Sequence, residues 1–134
     1  MFYFDPTLIE SIAQTRLTGK GGLINLDMND YRTFASDCDF ICALRVKSVK
    51  GFDDFLSELK YEIYNSQSAV DESIEVMIHL ILHQETDMTM KNYALLRQTM
   101  KEVFGNQTRI KVGFATDNTL PDNHKDIMVF IAGN

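Results

Sequence analysis

The chain has no tryptophan, two prolines, two cysteines and three histidines among 134 residues, and its 13 lysines and arginines are outnumbered by 19 aspartates and glutamates. Each shortage excludes something. A net charge of −6 offers no footprint for a polyanion, so neither nucleic acid nor an anionic membrane surface is the main partner. No apolar run reaches the ~18 residues of a membrane-spanning helix, and the opening Met-Phe-Tyr-Phe-Asp-Pro lacks the basic and apolar regions of a secretion signal. Two cysteines cannot build a disulfide framework. Cys38 and Cys42, four apart and without a second pair or a neighbouring histidine, are expected as buried free thiols in a reducing, cytoplasmic compartment. Proline and glycine are too sparse for a fibrous or low-complexity chain, and no internal repeat is visible. What remains, at 45% hydrophobic content, suits one globular domain with one core.

The chemistry-bearing motifs are also few. A nucleotide enzyme holds phosphates on a glycine-rich loop between strand and helix. Gly19-Lys20-Gly21-Gly22 lacks that spacing and is read as a flexible connector. No nucleophile elbow of the Gly-x-Ser-x-Gly type occurs, so no acyl-transfer triad is proposed. His79 and His83 stand four apart, a zinc spacing on a helix, but the surrounding apolar run favours a strand and supplies no third ligand. The 7 methionines are scattered through apolar stripes and are read as core filling.

Periodicity orders the rest. Asp5-Pro6 signals a helix start, with Leu8, Ile9, Ile12 and Ala13 as its stripe, ended by the glycines. A short helix is expected from Met28 to about Ser36, burying Tyr31, Phe34 and Ala35. Phe40–Val46 is a compact β-prone run. Phe52, Phe55, Leu56, Leu59 and Ile63 mark a second helix with the clearest period in the chain. Ile74–Leu82 predicts a central strand, apolar at nearly every position. Thr89 caps a helix carrying Tyr93, Leu96, Met100 and Val103, and Gly105 closes it. Arg109–Thr116 alternates, and Ile127–Ala132 is apolar and β-prone. Two helices followed by β-α-β-α-β-β predict an α/β two-layer sandwich: a four-stranded, mainly parallel mixed sheet with helices packed on it, preceded by a helix and loop. The expected core comprises Phe55, Leu59, Val76, Ile78, Leu96, Val112 and Val129.

The segment Gly22–Phe34 places Asn25, Asp27 and Asp30 between a glycine turn and a short amphipathic run. Asp27 suits an N-cap, and Asp30 stands three residues on, where a capping box carries an acid. Carboxylates and amides on a rigid turn can also orient and deprotonate the water that attacks a γ-phosphate. Both roles are compatible with the same side chains. The string Gly22-Leu23-Ile24-Asn25-Leu26-Asp27-Met28-Asn29-Asp30 resembles the synergy loop of FtsZ, the bacterial tubulin relative. In that family the loop completes the GTPase site of the adjacent subunit in a filament. Weaker likenesses are Asp87-Met88-Thr89 to a helix start and Val129–Gly133 to the terminal strand.

The resemblance implies that residues 1–20 end a central inter-domain helix and that 21–134 form the FtsZ/tubulin C-terminal domain. It implies Asn25, Asp27 and Asp30 as the residues acting on GTP, with GTP and a companion Mg2+ held by the neighbouring subunit and no cofactor bound by this chain alone. The implied partner is an FtsZ/tubulin-like GTPase domain, self or homologue, in a head-to-tail filament serving cell division or a related cytomotive role. The sequence departs from the pattern where Arg45–Lys50 replace a glycine-rich stretch, and the family's linker and tail peptide are expected to be missing after the last strand. The alternative is a non-catalytic interaction module derived from this domain, regulating or capping filaments. A metabolite sensor is a third and weaker option.

Overall fold

The computed structural model describes residues 2–3, 12, 14, 21–24, 28–65, 70–84 and 88–134. Six strands are seen: β1 (Phe2–Tyr3), β2 (Gly21–Ile24), β3 (Phe40–Ser48), β4 (Ser73–Leu82), β5 (Arg109–Thr116) and β6 (Lys125–Gly133). Three helices are bounded among the described residues: α1 (Met28–Thr33), α2 (Phe52–Tyr64) and α3 (Met90–Phe104). The helix read at Asp5-Pro6 falls largely outside the described residues.

One sheet runs in the order β1-β3-β6-β4-β5-β2. Its four long strands are the mixed α/β sheet expected from the sequence. The β3-α2-β4 and β4-α3-β5 connections are helical crossovers, so β3, β4 and β5 point one way. The last connection is a short turn, and β6 returns between β3 and β4, antiparallel to both. Three of the four long strands therefore point one way and β6 the other, and among the described residues only β4 with β5 is a parallel pairing. The two edge strands were not foreseen. Phe2–Tyr3 pairs with Ala43 and Cys42, and two residues carry too short a pattern to register as a strand.

Alternation along the strands builds two cores, one on each face. Leu44, Val76, Ile78, Val112, Phe114 and Val129 face α2 and α3, which add Phe55, Leu59, Leu96 and Met100. Every residue of the expected core lies in this cluster. The opposite face carries Ile41, Ala43, Met77, Met128, Phe130 and Ala132 beneath Tyr31, Phe34 and Ala35. The sandwich of sheet and helices is thus extended by a partial third layer, which explains why β4 is buried from Val76 to Leu82 on both sides. The expected helix to Ser36 stops at Thr33, because Ala35 takes φ 61, a left-handed turn that the α-helix cannot continue through.

Candidate functional site

Of the three residues proposed for phosphate chemistry, Asn25 and Asp27 lie outside the described residues. Asp30 is placed in the first turn of α1, and its carboxylate oxygen Oδ1 forms an ion pair with Lys111 Nζ on β5. The Asp30 side chain is 19% exposed and that of Lys111 50%, so the pair lies at the surface with its acid partly covered.

A six-residue helix has no stability of its own. Two attachments hold α1 to the sheet. Beside the Asp30–Lys111 pair, the Tyr31 hydroxyl makes a buried 3.0 Å hydrogen bond with His79 Nδ1 on β4. The Tyr31 ring also stands edge-on to Phe130, with centroids 5.6 Å apart. Burial of His79 at 1% exposure needs such a partner. The chain entering the loop is tied to the same strand as Lys111, since Gly21 pairs with Thr116 and Ile24 with Phe114 of β5.

His79 lies on β4, as the apolar run suggested, and His83 just past its end, and the two hold different partners. His83 Nδ1 lies 2.6 Å from the Leu120 carbonyl oxygen, and Nε2 lies 3.0 Å from Asp122 Oδ1. Cys42 is buried and free, with its thiol pushed up to about 11 by loss of solvent. Cys38 is free but only half-buried. Its thiol is raised by burial first and then by the charges of Asp37 and Glu75.

Asp37, Cys38 and Glu75 bring one ligand atom each to within 4.8 Å of one another. Sequence reasoning missed this group because Glu75 comes from β4, far along the chain. Its carboxylates already have a cation: the Arg109 guanidinium lies 3.4 Å from Asp37 Oδ1 and 3.3 Å from Glu75 Oε2. Glu75 Oε2 also accepts the Ala35 amide at 3.2 Å, fastening the turn after α1 to β4.

The divergent Arg45–Lys50 segment is engaged within the fold. Arg45 donates two hydrogen bonds to Asp126, Nε to Oδ1 at 2.9 Å and a terminal nitrogen to Oδ2 at 2.5 Å, and this bonding raises the guanidinium pKa. Lys50 pairs with Glu58 at 3.3 Å, and its carbonyl accepts Lys125 Nζ at 2.7 Å.

No protein-family model and no curated protein matches the chain. Solved structures do. An empty FtsZ dimer from M. jannaschii aligns at a TM-score of 0.67 and 19% identity, covering 92% of this chain and 36% of that one. The GTPγS-form protofilament of TubZ from Bacillus thuringiensis serovar israelensis aligns at 0.64 and 13% identity, covering 87% and 31%. This chain has an FtsZ/tubulin-like C-terminal-domain fold. It spans about a third of the length of the FtsZ and TubZ chains it matches. At such low identity the likeness is one of fold, and any activity has to be argued from the residues.

Proposed function

We propose that this FtsZ-like domain acts in trans, supplying the loop that activates GTP hydrolysis on the adjacent subunit of a filament. One observation carries this reading: the Asn25-x-Asp27-x-x-Asp30 string leads into α1 of a chain whose fold is FtsZ/tubulin-like. Phosphoryl transfer to water asks little covalent chemistry of a protein; it needs the attacking water held in line and its proton accepted. Asp27 and Asp30 would polarise that water, and Asn25 would orient the loop or contact the nucleotide. The neighbouring subunit would bring GTP with its Mg2+, which neutralises the developing phosphate charge.

A second reading is an interaction module that regulates or caps filaments. The pairing of Asp30 with Lys111 favours it, because an acid already satisfied within the domain can be structural. Asp27→Asn separates the two. Asparagine caps a helix about as well as aspartate, so a purely capping Asp27 tolerates the change. An acid acting on the water does not, and GTP turnover should fall by ~10²-fold. The assay mixes this chain with a polymerising FtsZ and follows phosphate release and filament mass. Wild-type chain that leaves both unchanged at every concentration would sink the filament reading altogether.

A further inference from the structure

We propose that His83 is a pH-sensitive latch, holding the turn between β5 and β6 against the end of β4 when its ring is protonated. The turn leaves β5 beside β4, where the Asp117 amide donates to the Leu82 carbonyl at 2.8 Å. It rejoins the sheet at Lys125, whose Nζ donates to the Asn123 carbonyl at 3.0 Å. Between these two ties, His83 is what reaches the turn. Its Nδ1 lies 2.6 Å from the Leu120 carbonyl oxygen and its Nε2 3.0 Å from Asp122 Oδ1. Among the described residues, no other polar contact links the tip of the turn, residues 118–122, to a neighbouring element.

Both atoms that face the ring can only accept a hydrogen bond. A carbonyl oxygen has no proton to give, and an ionised carboxylate has none either. Neutral imidazole carries one N–H and imidazolium two, so the protonated ring alone fills both contacts. The close carbonyl of Leu120 keeps a proton on Nδ1. Deprotonation therefore falls on Nε2 and leaves its lone pair turned toward the Asp122 carboxylate. The ring is 21% exposed and the Asp122 side chain 88%, so it is the carboxylate that turns away into water. The other titratable groups around the ring are engaged elsewhere. Asp117 Oδ1 accepts the Thr119 amide and hydroxyl, Lys125 Nζ donates to the Lys50 and Asn123 carbonyls, and Asp126 holds Arg45. His124 closes the turn through its own amide, which donates to the Pro121 carbonyl at 3.1 Å. Histidine changes charge between about pH 5 and 8. The closed turn holds the ring's second proton, so the latch is fastened at the acid end of that window and released at the alkaline end.

The test follows the full chain by NMR across the same window. The ring-nitrogen shifts of His83 should show Nδ1 protonated throughout and Nε2 losing its proton as pH rises. Amide hydrogen exchange reads the turn itself. Protection of the Leu120 and His124 amides, corrected for the intrinsic pH dependence of exchange, should fall by at least ~3-fold from acid to alkaline pH, the scale of an ion pair with one exposed partner. Protection of the Leu96 amide, in the middle of α3, should stay constant. His83→Gln and Asp122→Ala should each make turn protection independent of pH, and His124→Gln should keep the wild-type profile. Asp122 is exposed, so its variant keeps the fold even where His83→Gln does not. A bare Nδ1 at alkaline pH overturns the proposal. So does flat protection in the wild type, or a pH-dependent loss that survives in Asp122→Ala.

Discussion

A hydrogen atom is all that fits at Gly133. A Cβ there would stand 2.0 Å from the Glu72 carbonyl oxygen and 2.9 Å from Phe40 Cε1, so Gly133→Ala should destabilise by at least ~1–3 kcal/mol, measured by urea unfolding. The close approach lets the Gly133 carbonyl accept the Asp39 amide at 2.8 Å, docking the entry to β3 on the end of β6. Tyr31→Phe tests the buried bond to His79. It keeps the ring against Phe130 and deletes the hydroxyl, for an expected loss of about 1–3 kcal/mol. Cys42 makes a pH prediction. Its thiol ionises near 9.0 when unfolded and at about 11 when folded, so the unfolded chain loses the proton first. Stability contributed by this group is complete below about pH 9, falls as pH rises, and is lost beyond about 11. The difference in melting temperature between wild type and Cys42→Ala, followed across that window, should shrink as pH rises.

At the scale of elements, α3 shows how local chemistry defines a helix. The Thr89 hydroxyl accepts the Asn92 amide at 3.0 Å, and Gly105 ends the helix at φ 82, a conformation glycine takes without strain. Thr89→Ala should cost about 1 kcal/mol and Thr89→Asn almost nothing, read from chemical denaturation. Packing is worth more than capping. Leu59 of α2 and Ile78 of β4 are fully buried in the same cluster, and truncation of either to alanine should cost about 2–5 kcal/mol. A loss below about 0.5 kcal/mol at both would contradict the assigned faces. α1 depends on its attachments instead, since its six residues bury Tyr31 but cannot nucleate alone.

For the whole molecule, the fold leaves a division of labour. The chain contains the candidate acids and no glycine-rich phosphate loop in its sequence. Calorimetric titration of the chain alone with GTP should therefore give no micromolar binding, and a clear isotherm would overturn the two-part model of the site. Among the described residues, no helix is long and apolar enough to cross a membrane. Ion pairs tie neighbouring elements, as Arg45 does to Asp126 and Arg109 to Glu75 and Asp37. Arg45–Lys50, divergent from the family pattern, form the second half of β3 and the turn into α2, so that segment is committed to the domain's own structure.

The amino-acid order alone determined α2, α3 and the four long strands, because their apolar periods run long enough to distinguish 3.6 from 2. It also determined the core face of α2, where Phe55, Leu59 and Ile63 repeat without interruption, and the cap and stop of α3. The string Asn25-x-Asp27-x-x-Asp30 is legible as a candidate site because its members are close in sequence. Other features needed the third dimension. The placement of β6 between β3 and β4 follows from which edges remain unpaired once two crossovers have formed, and no local pattern encodes that. The early stop of α1 at Thr33 reflects the Ala35 turn fastened by Glu75, a residue forty positions away. The partners of Asp30, Tyr31 and the Asp37–Cys38 pair come from β4 and β5, brought across by helices whose own sequences say nothing of the contact. Local spacing wrote the elements, and long-range pairing decided what holds α1 on the sheet.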